Sequence, residues 1–342
     1  MERPMVAVAA PTFEPEVFAP LALFAFNRLD LLQTTLASLE RSRGFLSSPV
    51  HIFSDGARLD HPAEVAEVAR LREWVREWCA QYGATLHEAR TNRGLRTSIV
   101  SGVSDLLRVH DSVIVLEDDL VVSPSFLTFM NQAVDMYRDR RDIFQVSGYF
   151  VPHRRRLPPI GLLRVPGSWG WATWRRAWQH YSDDAGALLA ELRTRDSDDF
   201  DVGGSYGHLE ALERNAAGTL DTWLVRWYAS VFLRGGLTVY PGQSLVRNIG
   251  FDPRATNCGP GGTARTYTRQ KISRRPVRAE WHDIGSEETP EFVEALQEFN
   301  RWQQAQWVKP TWNERLRARL RVLAARTPWG HRGEPEPSST AR

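Results

Sequence analysis

VIVLEDDLVVSPSFL, at residues 113–127, is the stretch that decides the fold of this 342-residue chain. An apolar run leads directly into three acids, Glu117, Asp118 and Asp119. Adjacent carboxylates repel one another, so a buried strand that ends on three of them needs a positive charge close by. Ser123–Pro124 then predicts the start of a helix. The stretch therefore indicates a strand, a site for a cation and a helix in succession.

Strand and helix patterns alternate on both sides of this stretch. Apolar runs predict five strands, at 20–26, 50–56, 84–89, 112–118 and 143–150. Helical spacing of apolar residues predicts four helices between them, at 29–42, 61–83, 94–110 and 125–139. This alternation predicts an α/β fold with a mostly parallel sheet and helices on both faces. Ligands of such sheets bind outside the carboxyl ends of the strands, where this chain places polar residues at 27–28, 54–56 and 117–119.

The sequence changes in character after residue 150, where basic, proline-rich and tryptophan-rich segments replace the regular alternation. We predict four parts, a first half at 18–150, a smaller second half at 151–265, a C-terminal helical extension at 266–330 and a disordered tail at 331–342. Within the second half, 220–236 predicts a helix that a glycine pair ends, and 237–252 predicts two short strands around a turn.

Composition limits the class of protein. A net charge of +2 gives no reason to expect nucleic-acid binding. The two cysteines, Cys79 and Cys258, form neither a disulfide framework nor a metal knuckle, which favours a reducing compartment. The first residues lack the pattern of a secretory signal, and no window has the roughly 18 apolar residues of a membrane span. We therefore expect a cytoplasmic protein.

The segment 311–327 predicts an amphipathic helix. Trp312, Leu316, Leu320 and Leu323 share one face, and five arginines surround that face. Such a helix suits peripheral contact with anionic lipid at the inner face of a membrane, and it also suits docking on the protein's own surface. The sequence leaves both alternatives open.

The three acids at 117–119 suit a hard divalent cation. Mn²⁺ and Mg²⁺ take carboxylate oxygens and accept phosphate oxygens as further ligands. A cation held between the acids and a diphosphate would neutralise the charge that builds on a leaving nucleoside diphosphate. The alternative is a surface turn whose acids are simply solvated. Because the triplet ends a buried strand of the predicted sheet, we favour the cation site.

Six segments between residues 20 and 260 resemble those of one enzyme family, in the family's order. They are FAFNRLDLLQTTLASL, FSDGAR, RTNRGLRTSIVSGV, VIVLEDDLVVSPSFLTFM, GSWGWATWRRAW and LDTWLVRW. Together they resemble the GT-A glycosyltransferases, in the version found in N-acetylglucosaminyltransferase I and in family 2-like sugar transferases of bacterial polysaccharide clusters. The resemblance implies the Rossmann-like GT-A fold, with 18–150 binding a nucleotide sugar and 151–265 forming the acceptor side.

The resemblance also implies the reaction. A sugar would pass from a nucleoside-diphosphate sugar, with UDP as the expected nucleotide, to a hydroxyl of a glycan or lipid-linked acceptor, in polysaccharide biosynthesis. Asp119 would be the direct ligand of Mn²⁺ or Mg²⁺. Asp118 would contact the ribose, or the metal through water, and Glu117 would contact the donor sugar.

Further donor-binding residues follow from the other matched segments. Asp55 would hydrogen-bond the pyrimidine ring, Arg28 would lie near the diphosphate or the edge of the base, and Asn27 would bind the donor beside Arg28. Arg93 would contact the donor, with pairing to a surface acid as the alternative.

Asp221 is the candidate general base on the acceptor side. It precedes a predicted apolar helix, so it is also a candidate N-cap, and the sequence alone does not choose between the two roles. As a base it would take a proton from the acceptor hydroxyl during in-line attack, and the outcome would be inversion. Trp169 and Trp171 are candidates for stacking against an acceptor sugar, with ordinary packing as the alternative for each.

One segment departs from the family pattern. Bacterial relatives end the segment at 248–259 in Thr-His, whereas this chain has Asn257 and Cys258 after Thr256, which leaves the completeness of the metal shell open.

Two other functions remain as alternatives. A sugar-nucleotide nucleotidylyltransferase would want a glycine-rich loop after the first strand, which AFNRLDLLQTT lacks, and a non-catalytic carbohydrate-binding protein could keep the same fold.

Overall fold

The computed structural model describes residues 18–195, 198–254, 263–279, 281 and 284–307. The strands are β1 (Leu21–Ala25), β2 (Val50–Ser54), β3 (Thr85–Glu88), β4 (Ser112–Glu117), β5 (Leu120–Val122), β6 (Ile143–Ser147), β7 (Ile160–Leu163), β8 (Trp171–Trp174), β9 (Leu237–Pro241) and β10 (Val246–Asn248). The helices are α1 (Leu29–Glu40), α2 (Pro62–Tyr82), α3 (Gly94–Val109), α4 (Phe126–Met136), α5 (Arg175–Trp178), α6 (Ala185–Leu192), α7 (His208–Ala216), α8 (Trp223–Phe232), α9 (Ala264–Thr268) and α10 (Pro290–Trp307).

One eight-stranded sheet, in the order β3-β2-β1-β4-β8-β6-β9-β7, organises these elements. Its first four strands are parallel, and β6 and β9 are parallel as well, whereas β8 runs antiparallel to both of its neighbours. Strand β7 runs antiparallel to β9 at the edge of the sheet. The predicted α/β class with a mostly parallel sheet is therefore confirmed.

Helices cover both faces of the sheet, as the alternation predicted. Along β4, Ile114 and Leu116 pack with α1, α2 and α4 in one core, and Val113 and Val115 pack with α3 and α8 in another. Side chains alternate between the faces of a strand, so a strand that is apolar throughout must be buried on both sides. The continuous apolar run that precedes the three acids reflects this double burial.

Both predicted halves contribute to the same sheet. Strand β8 lies between β4 and β6, and the predicted boundary at residue 150 falls between β6 and β7. By compactness, the chain forms two units, Met1–Arg301 and Trp302–Arg342. The four predicted parts stay a prediction. The segment 311–327 and the tail 331–342 lie outside the described residues. None of the helices in the described ranges combines the length and the apolar character that crossing a bilayer requires.

A small second sheet brings a distant segment to the acids. Strand β5 follows them immediately and pairs antiparallel with β10, with Leu120 opposite Asn248. The two strands predicted around the turn at 237–252 exist, but β9 belongs to the large sheet and β10 to the small one. Helix α4 also begins later in the chain than Ser123–Pro124, where its start was predicted. Helix α4 has Ser125 as its N-cap residue, and the Ser123 hydroxyl accepts a hydrogen bond from the Ser125 amide at 3.0 Å.

Candidate active site

The acids at the end of β4 meet an arginine from the end of β1. Strands β1 and β4 are parallel neighbours, with Phe24 opposite Glu117, so their carboxyl ends lie at one edge of the sheet. A terminal nitrogen of Arg28 lies 2.5 Å from Asp118 Oδ1 and 2.8 Å from Asp119 Oδ2. Arg28 therefore supplies one of the positive charges that the repulsion between the three carboxylates requires.

One guanidinium does not balance three carboxylates. Burial and mutual repulsion raise the pKa of Glu117 above its usual value, and burial also raises the pKa of Asp118 and Asp119 although Arg28 opposes this. Burial lowers the pKa of Arg28, but Asp118 and Asp119 outweigh it and raise the pKa above the usual arginine value. When all three acids are ionised, the cluster keeps an excess of two negative charges, which favours a divalent cation.

Asp119 has a carboxylate oxygen that the described part of the chain leaves without a partner. Its carboxylate is buried, and its Oδ1 has no hydrogen-bond partner in the described part of the chain. A buried carboxylate oxygen without a donor is costly, and a cation at that oxygen would remove the cost. The described residues contain no group of three or more His, Cys, Asp or Glu side chains that could hold a metal together. Among the described residues, one carboxylate, that of Asp119, therefore offers a free oxygen to a cation, and a cation there would need further ligands from a bound molecule.

A glycine allows the chain to pass close to Asp119. The Ile249 amide donates to the Asp119 backbone carbonyl at 2.9 Å, and the Gly250 amide donates to the Asn248 side chain at 2.7 Å. A Cβ at residue 250 would overlap the Asp119 carboxylate. No pattern in the sequence distinguished Gly250, because its contact is made by a residue more than a hundred positions away.

Gly250→Ala is therefore expected to weaken metal-dependent binding of UDP by roughly tenfold or more, since the methyl group displaces the carboxylate that would hold the metal. Isothermal titration calorimetry with UDP and Mn²⁺ measures the change. Gly207→Ala is the matched control, because a Cβ there meets nothing nearer than 3.6 Å. Equal affinities of wild type and Gly250→Ala would contradict the close approach of Gly250 to the metal ligand.

A second ion cluster borders the same edge. Arg254 contacts Asp30, in the first turn of α1, at 2.8 Å and Asp252 at 2.6 Å. Hydrogen bonds from Arg254 are the largest cause of the lowered pKa of Asp30. The segment after β10 is thereby attached to the start of α1, beside Arg28. Asn257 and Cys258, at which the sequence differs from the family pattern, fall in 255–262 and lie outside the described residues.

Asp55 binds the start of α3 in this structure. Its Oδ1 accepts from the amides of Gly56 at 2.8 Å and Arg93 at 2.9 Å, and its Oδ2 accepts from the amides of Arg93 at 3.2 Å and Gly94 at 2.9 Å. The predicted contact with a pyrimidine would thus add to four backbone contacts. The Arg93 side chain is exposed, and the Asn27 side chain donates to Glu67 at 2.8 Å.

Asp221 lies beside the start of α3. The Arg96 side chain donates to Asp221 Oδ1 at 2.5 Å, and Arg226 donates to the same oxygen at 3.0 Å. The second oxygen, Oδ2, has no hydrogen-bond partner among the described residues, and 63% of the side chain is exposed. Burial raises the pKa of Asp221, but Arg226 and Arg96 outweigh it and keep the pKa below its usual value.

The alternative role of Asp221 as a helix cap is wrong. Helix α8 begins at Trp223, and its N-cap residue is Thr222, whose hydroxyl accepts from the Leu224 amide at 3.4 Å. Asp221 therefore precedes the cap, and its carboxylate accepts from the side chains of Arg96 and of Arg226, a residue of α8, rather than from the amides at the start of the helix. Arg96 also binds Asp183, at 2.6 Å, a neighbour that sequence spacing could not have indicated.

The two candidate tryptophans have different surroundings. Trp171 is 1% exposed in β8 and stacks on Trp223 with ring centroids 5.0 Å apart, so the structure leaves it no face for a sugar and corrects its predicted acceptor role. Trp169 is half-buried and contacts Tyr149 and Tyr267 edge to face, at 4.6 and 5.3 Å between centroids. Of the two, only Trp169 keeps some of its surface exposed.

No family model and no curated protein match the chain. Solved structures of glycosyltransferases do match it, as the sequence resemblance predicted. The crystal structure of GalNAc-T7 with UDP, GalNAc and Mn²⁺ has a TM-score of 0.44 at 12% identity, and the match covers 84% of this chain and 55% of that chain. This chain thus spans about half the length of GalNAc-T7.

Two further structures are similar at comparable identity. Residues 1–349 of S. aureus TarS give a TM-score of 0.39 at 11% identity, covering 66% of this chain and 59% of that chain. Mannosyltransferase PcManGT from Pyrobaculum calidifontis, in complex with GDP-Man and Mn²⁺, gives a TM-score of 0.33 at 12% identity. The match covers 65% of this chain and 72% of that chain. Each TM-score is under 0.5, so nothing about the donor, the acceptor or the reaction of this chain follows from these likenesses.

Proposed function

We propose that the protein is a metal-dependent glycosyltransferase that moves a sugar from a nucleoside-diphosphate sugar, with UDP as the expected nucleotide, to a hydroxyl of a glycan or lipid-linked acceptor. The observation that carries the proposal is the buried Asp119 oxygen, which no described residue contacts with a hydrogen bond, in a carboxylate cluster that Arg28 does not fully neutralise. Such a cluster at the carboxyl ends of parallel strands suits a cation that binds phosphate.

Asp119 would hold the divalent metal, Mn²⁺ or Mg²⁺. When bound, the metal would neutralise the charge on the leaving diphosphate. Arg28, which contacts both Asp118 and Asp119, is placed to hold these carboxylates in position and to face the phosphates. Glu117 and Asp118 are proposed to contact the donor sugar and the ribose. Asp55 would act on the nucleotide side through the turn at 92–94 that it holds, in addition to any contact with the base.

Asp221 is proposed as the general base for the attack. Its Oδ2 is open while Oδ1 is held by Arg96 and Arg226, so the carboxylate is fixed in orientation yet able to accept a proton. Its lowered pKa keeps it ionised near neutral pH. A carboxylate base that acts on an acceptor hydroxyl opposite the leaving diphosphate would give inversion at the anomeric carbon. Trp169, next to Tyr149 and Phe251, remains proposed for the acceptor side.

A non-catalytic carbohydrate-binding protein is the second candidate. The ion pairs between Arg28 and the two aspartates favour it, because a permanent guanidinium could serve as the counter-charge without any metal. The two functions differ in one respect that can be measured. A transferase releases a nucleoside diphosphate from its donor, and a binding protein does not.

A panel of nucleotide sugars tests the proposal directly. We expect the protein, supplied with Mn²⁺ and a glycan-bearing membrane fraction, to release UDP from at least one UDP-sugar, and we expect EDTA to stop the release. Coupled detection of free UDP, GDP or CMP measures it. Failure to release any nucleotide from any donor, by a protein that remains folded, would leave the carbohydrate-binding alternative.

A further inference from the structure

A cavity of about 650 Å³ lies apart from the strand ends described above. Five of the residues that line it are basic, Arg154, Arg155, Lys271, Arg274 and Arg275, and His153 adds a sixth titratable group. Among the residues that the structure describes, no aspartate or glutamate lines the cavity. We call this cavity the basic pocket. Its volume is in the range that holds a small organic ligand, and its lining indicates that such a ligand is an anion.

Most of this charge is not neutralised by the protein. Arg155 contacts two glutamates of α10, Glu294 and Glu298, each at 2.5 Å. Across the described ranges, the other four basic side chains of the pocket make no ion pair with a carboxylate, and all four are exposed. Positive charges held close together without counter-ions repel one another, so a bound anion would be favoured at this position.

The basic pocket is connected to the candidate active site by short segments of chain. Ser244 lines the pocket and Gly250 approaches Asp119, and these two residues are six positions apart, so their Cα atoms are separated by at most about 22 Å. The ring of the half-buried Trp169 contacts Tyr149, Phe251 and Tyr267, and Phe251 directly follows Gly250. Tyr149 is two residues before Val151 of the pocket, and Tyr267 is three residues before Gln270 of the pocket.

We propose that the basic pocket binds a phosphate group of the acceptor. This inference rests on the proposed function and deepens it, because it assigns the acceptor to the phosphate-bearing glycans or glycolipids. Guanidinium groups match phosphate with paired hydrogen bonds, and the aromatic cluster around Trp169, whose members Tyr149 and Tyr267 are close in sequence to the pocket and whose member Phe251 follows Gly250, suits the sugar part of such an acceptor. The phosphate can belong to a soluble glycan phosphate or to the headgroup of a lipid carrier.

Binding of inorganic pyrophosphate in EDTA tests the pocket, because EDTA removes any binding through a metal at Asp119, and substitution of the pocket residues distinguishes binding there from any binding at Arg28. The test variant is the triple substitution Lys271→Gln, Arg274→Gln and Arg275→Gln. The matched control removes three exposed arginines on the other half of the sheet, Arg41→Gln, Arg43→Gln and Arg70→Gln. By calorimetry, the test variant is expected to bind pyrophosphate roughly tenfold or more weakly than wild type, and the control is expected to bind like wild type.

A titration of UDP with Mn²⁺ on the same three proteins distinguishes the two proposals, and we expect all three to bind alike. Pyrophosphate binding that is lost in the test variant supports the basic pocket even if UDP fails to bind, in which case only the proposed function is overturned. If the wild type does not bind pyrophosphate, or if the test variant binds it as well as the wild type does, the proposed role of the pocket is overturned. The proposed function then still stands.

Sedimentation with vesicles identifies the source of the phosphate. Vesicles of phosphatidylcholine with phosphatidic acid present a lipid phosphate, and vesicles of phosphatidylcholine alone are the control. Binding to the phosphatidic acid vesicles that the test variant loses assigns the pocket to a lipid carrier. If the wild-type protein binds pyrophosphate but sediments with neither kind of vesicle, the pocket is assigned to a soluble glycan phosphate. Each of these two results supports the pocket.

Discussion

Asp119→Asn is expected to abolish Mn²⁺-dependent binding of UDP, with an affinity at least about 100-fold below that of wild type. The asparagine keeps the size of the side chain but removes the charge that would hold the metal. Its effect should exceed that of any other substitution in the triplet, because Asp119 carries the buried oxygen without a partner. Calorimetric titration of UDP, in Mn²⁺ and again in EDTA, measures the loss.

The same variant should remain folded. Burial raises the pKa of Asp119, which means that the protein disfavours the ionised form, and removing the charge relieves the repulsion from Asp118 and Glu117. Arg28 keeps Asp118 as a partner at 2.5 Å. We therefore expect the Tm not to fall. Asp139→Asn, at a side chain that is 96% exposed, is the control. Undiminished UDP binding by Asp119→Asn would show that the triplet is a structural ion cluster.

Asp221→Asn is expected to retain binding of the donor and to lose transfer by roughly 1,000-fold, the usual size of a general-base contribution. The asparagine oxygen can still accept hydrogen bonds from Arg96 and Arg226, so the orientation of the side chain should persist. Only the ability to take a proton is lost. The measurement is the rate of UDP release in the presence of an acceptor that supports transfer by the wild type, together with the affinity for UDP.

Asp183→Asn provides the matched control for that experiment. Asp183 is also exposed and also binds Arg96, at 2.6 Å, so its removal perturbs the same arginine without removing the proposed base. We expect transfer by Asp183→Asn to stay within a few-fold of wild type. Transfer that survives in Asp221→Asn but fails in Asp183→Asn would move the base to the neighbouring carboxylate.

The regular part of the fold could be predicted from local pattern. Helix α2 begins at Pro62 and is followed by Gly83 with a φ of 67°, as proline at a helix start and glycine after its end predicted. Strands β5, β7 and β8 were not predicted. They have three, four and four residues, too few to show a period, and β7 directly follows two prolines.

Only those residues of the candidate site that directly follow neighbouring parallel strands could be predicted from the sequence. Asp55, Arg28 and the acids of the triplet are brought to one edge because β1, β2 and β4 are parallel neighbours. The contacts between side chains could not be predicted. Arg28 reaches Asp118 across 90 positions and Arg96 reaches Asp221 across 125, and no local spacing indicates a partner at such a distance. The burial of Trp171 also depends on packing against Trp223, a residue of the distant helix α8.

The most direct test of the central claim is the thermal stability of the wild-type protein with nucleoside diphosphates, in Mn²⁺ and in EDTA. A ligand that binds only the folded state raises the Tm, and one present at 100 times its dissociation constant stabilises by about 2.7 kcal/mol. We predict that UDP or a related diphosphate raises the Tm by several degrees in Mn²⁺ and leaves it unchanged in EDTA. A Tm that no nucleoside diphosphate shifts in either condition would contradict the assignment of Asp119 and its neighbours to a nucleotide-sugar site.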